Sequence, residues 1–360
     1  IQLTRRGSLV ELMSLLKAAV DEGGSDVYIV PGAPVTVKVG TSLRPLTVEK
    51  LGVDSTRALI EGAYQMAGAR EPQRLMEKGD DDFSFSVRGV GRFRCNTYRQ
   101  RGSMAAVLRA VPFGLPDYKA LGIPQTVMDL CDKKRGMVLV TGPAGSGKST
   151  TLACMIDRIN RERCCHIITL EDPIEYLHPH GQSIVSQREI GLDAADFAGA
   201  LRAALRQAPD VILLGEMRDF ETIQTALTAA ETGHLLLSSL HTLGAAKTID
   251  RIVDVFPAPQ QTQVRVQLSM VLLAVVSQQL IPTVDGALAP VMEVMLVTPA
   301  ISNMIREGRG HQIDNAIYAG GAQGMISMDE DILRFYRQKR ITRDYALSYA
   351  INPDLMAKKI

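Results

Sequence analysis

The sequence predicts an α/β protein, in which a smaller α+β domain precedes a doubly wound α/β domain. In the first part of the chain, apolar and polar residues alternate over short stretches such as Phe83–Val87, which is typical of half-buried strands. In the second part, near-continuous apolar runs alternate with helical segments, as expected for parallel strands that are covered on both faces. Between the two parts, Gly114 and Pro116 interrupt the chain. We therefore predict a domain over residues 1–113, a linker over 114–122 and a second domain over 123–360.

The first domain is expected to pack helices on a mostly antiparallel sheet. Apolar residues recur at helical spacing between Leu9 and Val20, and the pair Gly23-Gly24 that follows predicts the end of this helix. A second helix is predicted over Asp54–Ala67. Strand-like runs occur at Asp26–Val30, Val35–Val39, Phe83–Val87, Arg92–Tyr98 and Met104–Val111.

The second domain is expected to alternate strands with helices. Four near-continuous apolar runs predict buried parallel strands at Met137–Val140, His166–Leu170, Val211–Leu214 and Leu235–Leu240. Helical segments separate these runs at Ser149–Asn160, Ala195–Gln207 and Phe220–Thr232. Because ligands of open α/β sheets bind beyond the carboxyl ends of the strands, the residues that follow each run are the first candidates for a functional site.

Composition excludes several classes of protein. The 360 residues carry 40 Lys and Arg against 39 Asp and Glu, and there is no Trp, so the basic, aromatic footprint of a nucleic-acid binder is missing. The best apolar run, Met270–Val276, is closed by Ser277 and falls short of the roughly 18 residues of a membrane span. The five cysteines show no C-x-x-C spacing, which argues against a zinc site and for a reducing compartment. We expect a soluble cytoplasmic protein without a nucleic-acid partner.

A phosphate-binding loop is predicted directly after the first strand of the second domain. Residues Gly142–Ser149 match the pattern G-x-x-x-x-G-K-[ST], and a strand precedes them while a helix follows. Glycines allow successive N–H groups to turn inward around a polyphosphate, and the helix directs its positive end at the phosphates. The Lys148 amine is expected on the β- and γ-phosphates of ATP or GTP, and the Ser149 hydroxyl on Mg²⁺. The nucleotide-binding residues are Gly142, Pro143, Ala144, Gly145, Ser146, Gly147, Lys148, Ser149 and Thr150.

Two acids and an imidazole follow the other apolar strands. Glu171, Glu216 and His241 each come at the end of a predicted strand, so all three are expected at the sheet edge that holds the phosphate loop. We predict that Glu171 positions the attacking water and that Glu216 orients the magnesium shell, although the two roles could be exchanged. His241 is predicted to sense the γ-phosphate. Gly215 stands where many phosphate-loop ATPases have Asp, so magnesium is expected to be held through Ser149 and water.

Four sequence blocks resemble the Walker A, Asp box, Walker B and His box of the secretion ATPase superfamily. They are Gly142–Ser149, Leu170–Glu175, Leu214–Asp219 and Ala230–Thr242. Further segments resemble the retraction ATPases of type IV pili, namely Gln187–Gly191, Ala200–Arg206, Ala246–Pro257 and Gly91–Tyr98. Ala300–Arg309 also resembles the C-terminal helix A-I-R-N-L-I-R-E-G-K of that family, with Ser302 where the family prefers Arg.

The resemblance implies a homohexameric ring in which a PAS-like first domain precedes a RecA-like ATPase domain. It implies ATP hydrolysis with Mg²⁺ at the cytoplasmic face of the inner membrane, where movement about the linker acts on a platform protein and withdraws pilin. It also implies that arginines of the first domain approach the phosphates. Arg94 and Arg109 are the preferred candidates among Arg92, Arg94, Arg99, Arg101 and Arg109. The alternatives are a motor of a related secretion apparatus and a nucleotide-gated ring with little turnover.

Overall fold

The computed structural model describes residues 5–40, 42–68, 70–111, 114–115 and 117–360, with side chains from residue 11 onward. The chain divides into two compact units. The first contains the described residues up to Gly114 together with Glu175–Leu177, and the second contains Leu115–Ile174 and His178–Ile360. Pro116, which belongs to the predicted linker, lies outside the described residues.

The first unit is built on an antiparallel sheet. Its strands lie in the order β3-β2-β1-β6-β5-β4, and every pair of neighbours is antiparallel. Helix α1 packs against α2, and α2 packs on β6. The elements are α1 (Arg5–Asp21), β1 (Asp26–Ile29), β2 (Thr36–Val39), β3 (Ser42–Pro45), α2 (Val53–Met66), α3 (Gln73–Lys78), β4 (Asp80–Val87), β5 (Gly91–Gln100) and β6 (Ser103–Val111).

Inward-facing and outward-facing residues alternate along β4 and β5, and this alternation determines which side chains enter the core of the first unit. Phe85 and Phe93 are buried neighbours whose ring centroids lie 5.9 Å apart, and Phe83 follows at 6.4 Å from Phe85. On β5, Phe93 and Cys95 are buried whereas Arg92 and Arg94 on the other face are partly exposed. The sequence pattern predicts this division, because successive residues of a strand point to opposite faces.

The second unit is a mostly parallel sheet with helices on both faces. Its strands are β7 (Gly136–Thr141), β8 (His166–Glu171), β9 (Ile184–Glu189), β10 (Val211–Leu214), β11 (Leu235–Leu240), β12 (Leu272–Pro282) and β13 (Leu288–Leu296). Its helices are α4 (Gln125–Met128), α5 (Lys148–Glu162), α6 (Phe197–Ala204), α7 (Phe220–Glu231), α8 (Ala245–Asp254), α9 (Ala258–Val271), α10 (Pro299–Arg306), α11 (Ile313–Ala319), α12 (Met328–Arg337), α13 (Arg343–Tyr349) and α14 (Pro353–Ala357).

The strand order β13-β12-β7-β11-β10-β8-β9 places β7 near the middle of the sheet. Its neighbours β11 and β12 are parallel to it, whereas β13 pairs antiparallel with β12. Alternate residues of β7 enter two different cores: Met137 and Leu139 pack in the core under α6–α9, and Val138 and Val140 in the core under α4 and α5. Burial on both faces explains why these strands are apolar without interruption.

The apolar pattern locates β7, β8, β10 and β11, but β9, β12 and β13 are absent from the sequence prediction. Strand β12 contains Ser277, Gln278 and Gln279, whose side chains are buried despite their polarity. Such residues interrupt an apolar run and hide the strand, because the hydrogen bonds that compensate their burial come from distant elements.

Candidate functional site

The phosphate loop connects β7 to α5 at the carboxyl edge of the sheet. Gly142, Gly145 and Gly147 have φ angles of +140°, +75° and +87°, which residues with a side chain rarely adopt. Helix α5 begins at Lys148, so Ser149 and Thr150 lie in its first turn, where the N–H groups have no partner within the helix. The loop and helix therefore form the geometry that binds anionic groups.

Lys148 lies over the loop and is almost fully buried. Its Nζ donates to the carbonyl oxygens of Gly142 and Pro143, each at 3.0 Å. The amine is thus held against the first two residues of the loop, next to the exposed residues Ala144 and Gly145. This position suits a cation that contacts a phosphate bound by the same loop.

Gln278, which lies two residues beyond the apolar run Met270–Val276, contacts the phosphate loop from β12. Its Nε2 donates to the carbonyl oxygen of Ser146, and its Oε1 accepts from Thr151 Oγ1 at 2.9 Å. The pairing of Ser277 with Thr141 places Gln278 level with the start of the loop. No sequence motif indicates this contact, since 127 positions separate Gln278 from Thr151.

The predicted acids and the imidazole lie at the same sheet edge as the loop. Glu171 ends β8, Glu216 follows β10 and His241 follows β11, and these three strands are neighbours in a parallel arrangement. His241 Nε2 lies 3.6 Å from Glu216 Oε2, and Arg218 Nε lies 2.7 Å from the same oxygen. The structure therefore brings Glu216 and His241 together.

Glu171 is positioned by its neighbours within the sheet. Its Oε1 accepts from Thr169 Oγ1 at 2.6 Å and from Gln187 Nε2 at 3.2 Å. Gln187 lies on β9, where it also accepts from the backbone N–H of His178 at 2.8 Å through Oε1. Gln187 belongs to one of the sequence blocks that resemble the retraction ATPases, but its contact with Glu171 depends on the pairing of β8 with β9.

Gly215 allows the ends of β8 and β10 to approach each other closely. A Cβ at this position would lie 3.2 Å from the carbonyl oxygen of Leu170 and 3.4 Å from the Cα of Glu171. Ser238 and Ser239 of β11 fix the same turn by donating to the carbonyl oxygens of Leu214 and Gly215 at 2.7 and 2.6 Å. A side chain at position 215 would thus crowd the strand that carries Glu171.

Asp219 ends this turn as the cap of α7. Its carboxylate accepts from the N–H of Thr222 at 2.9 Å and from the Thr222 hydroxyl at 2.8 Å. Partial burial by itself would raise the pKa of Asp219, but these hydrogen bonds outweigh it and hold the pKa below the ordinary value. The turn that carries Glu216 is therefore anchored at its start by Ser238 and Ser239 and at its end by Asp219.

Comparison with known proteins decides the family of the chain. Residues 5–340 match the family described as Type II/IV secretion system protein. The chain belongs to this family. The Type IV pilus retractation ATPase PilT of Pseudomonas aeruginosa is 43% identical over 96% of this chain and 99% of its own length. A twitching motility protein of Neisseria gonorrhoeae is 41% identical over 96% of this chain and 92% of its own length.

Solved structures of the secretion ATPases agree with this assignment. The pilus retraction motor PilT with bound ADP superposes with a TM-score of 0.88 at 46% identity, covering 96% of this chain and 98% of that one. The Legionella pneumophila ATPase DotB gives a TM-score of 0.82 at 28% identity, with 94% of each chain covered. The resemblance to the type IV pilus retraction ATPases and the predicted α/β fold class are confirmed. The PAS-like character of the first domain stays a prediction.

The arginines that the resemblance implies for this secretion ATPase lie in the first unit. Arg109 Nε is 2.7 Å from Oδ1 of the buried Asp26, and Arg94 Nη1 is 4.0 Å from Oε1 of Glu175, which belongs to the same unit. Arg92 Nη1 donates to Ser86 Oγ at 3.4 Å. Arg99 is the penultimate residue of β5, and Arg101 has a φ of +47° in the turn that follows. Contact of Arg94 or Arg109 with phosphate stays a prediction.

The described part of this secretion ATPase contains no helix that combines the length and the apolar character required to cross a membrane.

Proposed function

We propose that this chain is an ATP-hydrolysing motor that retracts type IV pili. The observation that supports this proposal most directly is the convergence of Glu171, Glu216 and His241 at the sheet edge where Lys148 covers the phosphate loop. A relative named as a pilus retractation ATPase matches over almost the whole chain, so the similarity extends to both domains rather than to the nucleotide-binding motif alone.

The loop residues Gly142 to Thr150 would bind the phosphates of ATP. Backbone N–H groups from the loop and the first turn of α5 provide donors, and Lys148 provides a cation. Ser146 Oγ is buried and has no hydrogen-bond partner among the described residues, so the loop retains an uncommitted polar group beside the proposed phosphates. These features fit a polyphosphate.

Ser149 and Glu216 are the residues that would hold magnesium, Glu216 in part through water. The described residues contain no cluster of three or more His, Cys, Asp or Glu side chains suited to a metal ion, which fits an ion held chiefly by a hydroxyl, water and phosphate oxygens. When bound, magnesium would neutralise charge that develops on the phosphates. Ser149 is exposed at the start of α5 and therefore accessible for this role.

Glu171 would orient the water that attacks the γ-phosphate. Thr169 and Gln187 hold Oε1 of its carboxylate in place, and the residue itself ends β8 at the carboxyl edge of the sheet. Glu216 lies between Arg218 and His241, an arrangement that suits charge compensation and sensing of the γ-phosphate. Phosphoryl transfer requires mainly such positioning and charge stabilisation, to which Arg94 and Arg109 would add positive charge.

The mechanical output would come from movement between the two domains about residues 114–122, within a homohexameric ring. The ring would act on a platform protein at the cytoplasmic face of the inner membrane and would not bind nucleic acid. The net charge of +1 over 360 residues supports a protein partner rather than a polyanion.

The proposal is tested by hydrolysis and retraction measured on the same variants. In a strain without its own retraction ATPase, the wild-type chain is expected to restore twitching, and Lys148→Ala to abolish both twitching and phosphate release. Lys134→Ala is the matched control, because this exposed lysine precedes β7 at the end opposite the loop. Hydrolysis without twitching would point to a related secretion apparatus, and nucleotide binding without hydrolysis to a nucleotide-gated ring; either result contradicts the proposal.

A further inference from the structure

We propose that Gln278 is a positioning residue that holds the phosphate loop in the shape that binds nucleotide. This inference rests on the proposed function, because it assigns Gln278 to the site where ATP would bind. Gln278 lies on β12, outside all four sequence blocks of the nucleotide site, and the residue is 1% exposed.

The hydrogen bonds of Gln278 define the orientation of its amide group. The carbonyl oxygen of Ser146 can only accept a hydrogen bond, so the NH₂ group must face it. The amide oxygen then faces Thr151 Oγ1 at 2.9 Å, and the hydroxyl donates to it. The Gln278 side chain thus connects Ser146, the residue before the last glycine of the loop, to Thr151 in the first turn of α5.

The first and last glycines of the loop both pack against Gln278. A Cβ on Gly142 would lie 2.1 Å from the backbone oxygen of Gln278, and a Cβ on Gly147 would lie 2.9 Å from its Nε2. Distances below 3.0 Å exclude a side chain unless the structure shifts. At Gly142 the close contact is therefore with the backbone of β12, and at Gly147 it is with the Gln278 amide itself, which would have to move to admit a side chain; both glycines also have positive φ angles.

The bond to Ser146 also determines the direction of an N–H group. The peptide between Ser146 and Gly147 is trans, and in a trans peptide the C=O and N–H bonds point in opposite directions. Because Gln278 holds the Ser146 carbonyl towards β12, the Gly147 N–H points away from β12 and is available to a phosphate. Without this contact the peptide could rotate and remove one donor from the loop.

Gln279 provides a matched comparison within the same strand. It is also largely buried, but it points to the other face of the sheet, where its Nε2 donates to the carbonyl oxygen of Tyr349 at 3.4 Å. Substitution of Gln279 therefore tests the effect of removing a buried amide from β12 without touching the phosphate loop.

The experiment measures the Kd of a fluorescent ATP analogue and the Tm without nucleotide, for Gln278→Met and Gln279→Met in the full chain. We expect Gln278→Met to raise the Kd about tenfold, the loss typical of one net hydrogen bond, and Gln279→Met to change it less than twofold. A lower Tm with an unchanged Kd for Gln278→Met would overturn the inference, because a purely structural role predicts that result.

Thr151 provides a second test if Gln278→Met does not fold. Thr151→Val removes the donor that orients the Gln278 amide, whereas Thr151→Ser retains it. We expect a raised Kd for Thr151→Val and a Kd near wild type for Thr151→Ser; equal Kd values in both variants would overturn the inference. Binding is measured without turnover, so a wild-type chain that binds nucleotide but releases no phosphate would contradict the proposed function and leave this comparison valid.

Discussion

His241 Nε2 lies 3.6 Å from Glu216 Oε2, so the residues that follow two neighbouring parallel strands come together at the candidate active site. Strands β10 and β11 pair with Leu214 opposite Ser238, and the residues that carry the carboxylate and the imidazole follow at the same edge. Arg218 contacts the same oxygen at 2.7 Å. Glu216 therefore lies beside a guanidinium and an imidazole, whereas Glu171 accepts from a hydroxyl and an amide.

This difference between the two glutamates predicts different effects of Glu171→Gln and Glu216→Gln. Both variants are expected to lower kcat by at least about a hundredfold, the typical contribution of a positioned acid or base. Only Glu216→Gln is expected to raise the magnesium concentration needed for half-maximal hydrolysis, because Glu216 is the proposed carboxylate of the magnesium shell. The measurement is phosphate release as a function of magnesium concentration.

Glu221→Gln is the control for these variants. Glu221 lies on α7, where it is exposed and pairs with Arg202 of α6, so its loss is expected to leave kcat unchanged. If Glu171→Gln instead shifts the magnesium requirement and Glu216→Gln does not, the two roles are exchanged.

Arg94→Ala is expected to lower kcat on the order of a thousandfold if this side chain reaches the phosphates as an arginine finger. Its guanidinium is partly exposed, and its ion pair with Glu175, at 4.0 Å, is long, so its removal is expected to leave Tm unchanged. The matched control is Arg88→Ala, which removes an exposed arginine from the turn between β4 and β5. Equal phosphate release by the two variants would remove Arg94 from the mechanism.

Patterns that depend on neighbouring residues made most of this fold predictable from sequence. The bounds predicted for Val211–Leu214 and Leu235–Leu240 equal those of β10 and β11, because strands buried on both faces are apolar at every position. Glu171, Glu216 and His241 could be assigned to one edge because parallel strands end together. These inferences need only the order of residues along the chain.

The missing parts of the prediction depend on contacts between distant segments. Strand β12 escaped detection because its buried Gln278 is satisfied by Ser146 and Thr151, far away in sequence. Likewise, the contact between Gln187 and Glu171 requires that β9 pair with β8, and the sequence does not specify which strands are neighbours. Buried polar residues of this kind cannot be separated from loop residues by periodicity alone.

Arg109→Ala is expected to destabilise the first unit in a pH-dependent manner. Burial by itself would raise the pKa of Asp26, but hydrogen bonds from Arg109 and Ser25 outweigh it and hold the pKa below the ordinary value. A lowered folded-state pKa stabilises the fold above the unfolded value of about 3.9, and this contribution is lost as the pH falls through the folded value. The variant should therefore lose about 1–2 kcal/mol at pH 7 and progressively less below about pH 4.

Urea unfolding of wild type and Arg109→Ala at pH 7, 5 and 3.5 measures this effect. The difference in free energy of unfolding is expected to be similar at pH 7 and 5 and smaller at pH 3.5. A difference that does not change with pH would contradict the contribution of Asp26. Unchanged stability together with a large loss of kcat would instead support the predicted contact of Arg109 with phosphate.

Gln187→Met is expected to lower kcat about tenfold while leaving the KM for ATP unchanged. Gln187 Nε2 donates to Glu171 Oε1 at 3.2 Å, so the substitution removes one of the hydrogen bonds that hold the carboxylate proposed to orient water, while leaving the phosphate loop unchanged. Gln182→Met is the control, because Gln182 is exposed in the segment before β9. A rise in KM equal to the fall in kcat would show that Gln187 acts on nucleotide binding, and only a selective loss of kcat supports a positioning role towards Glu171.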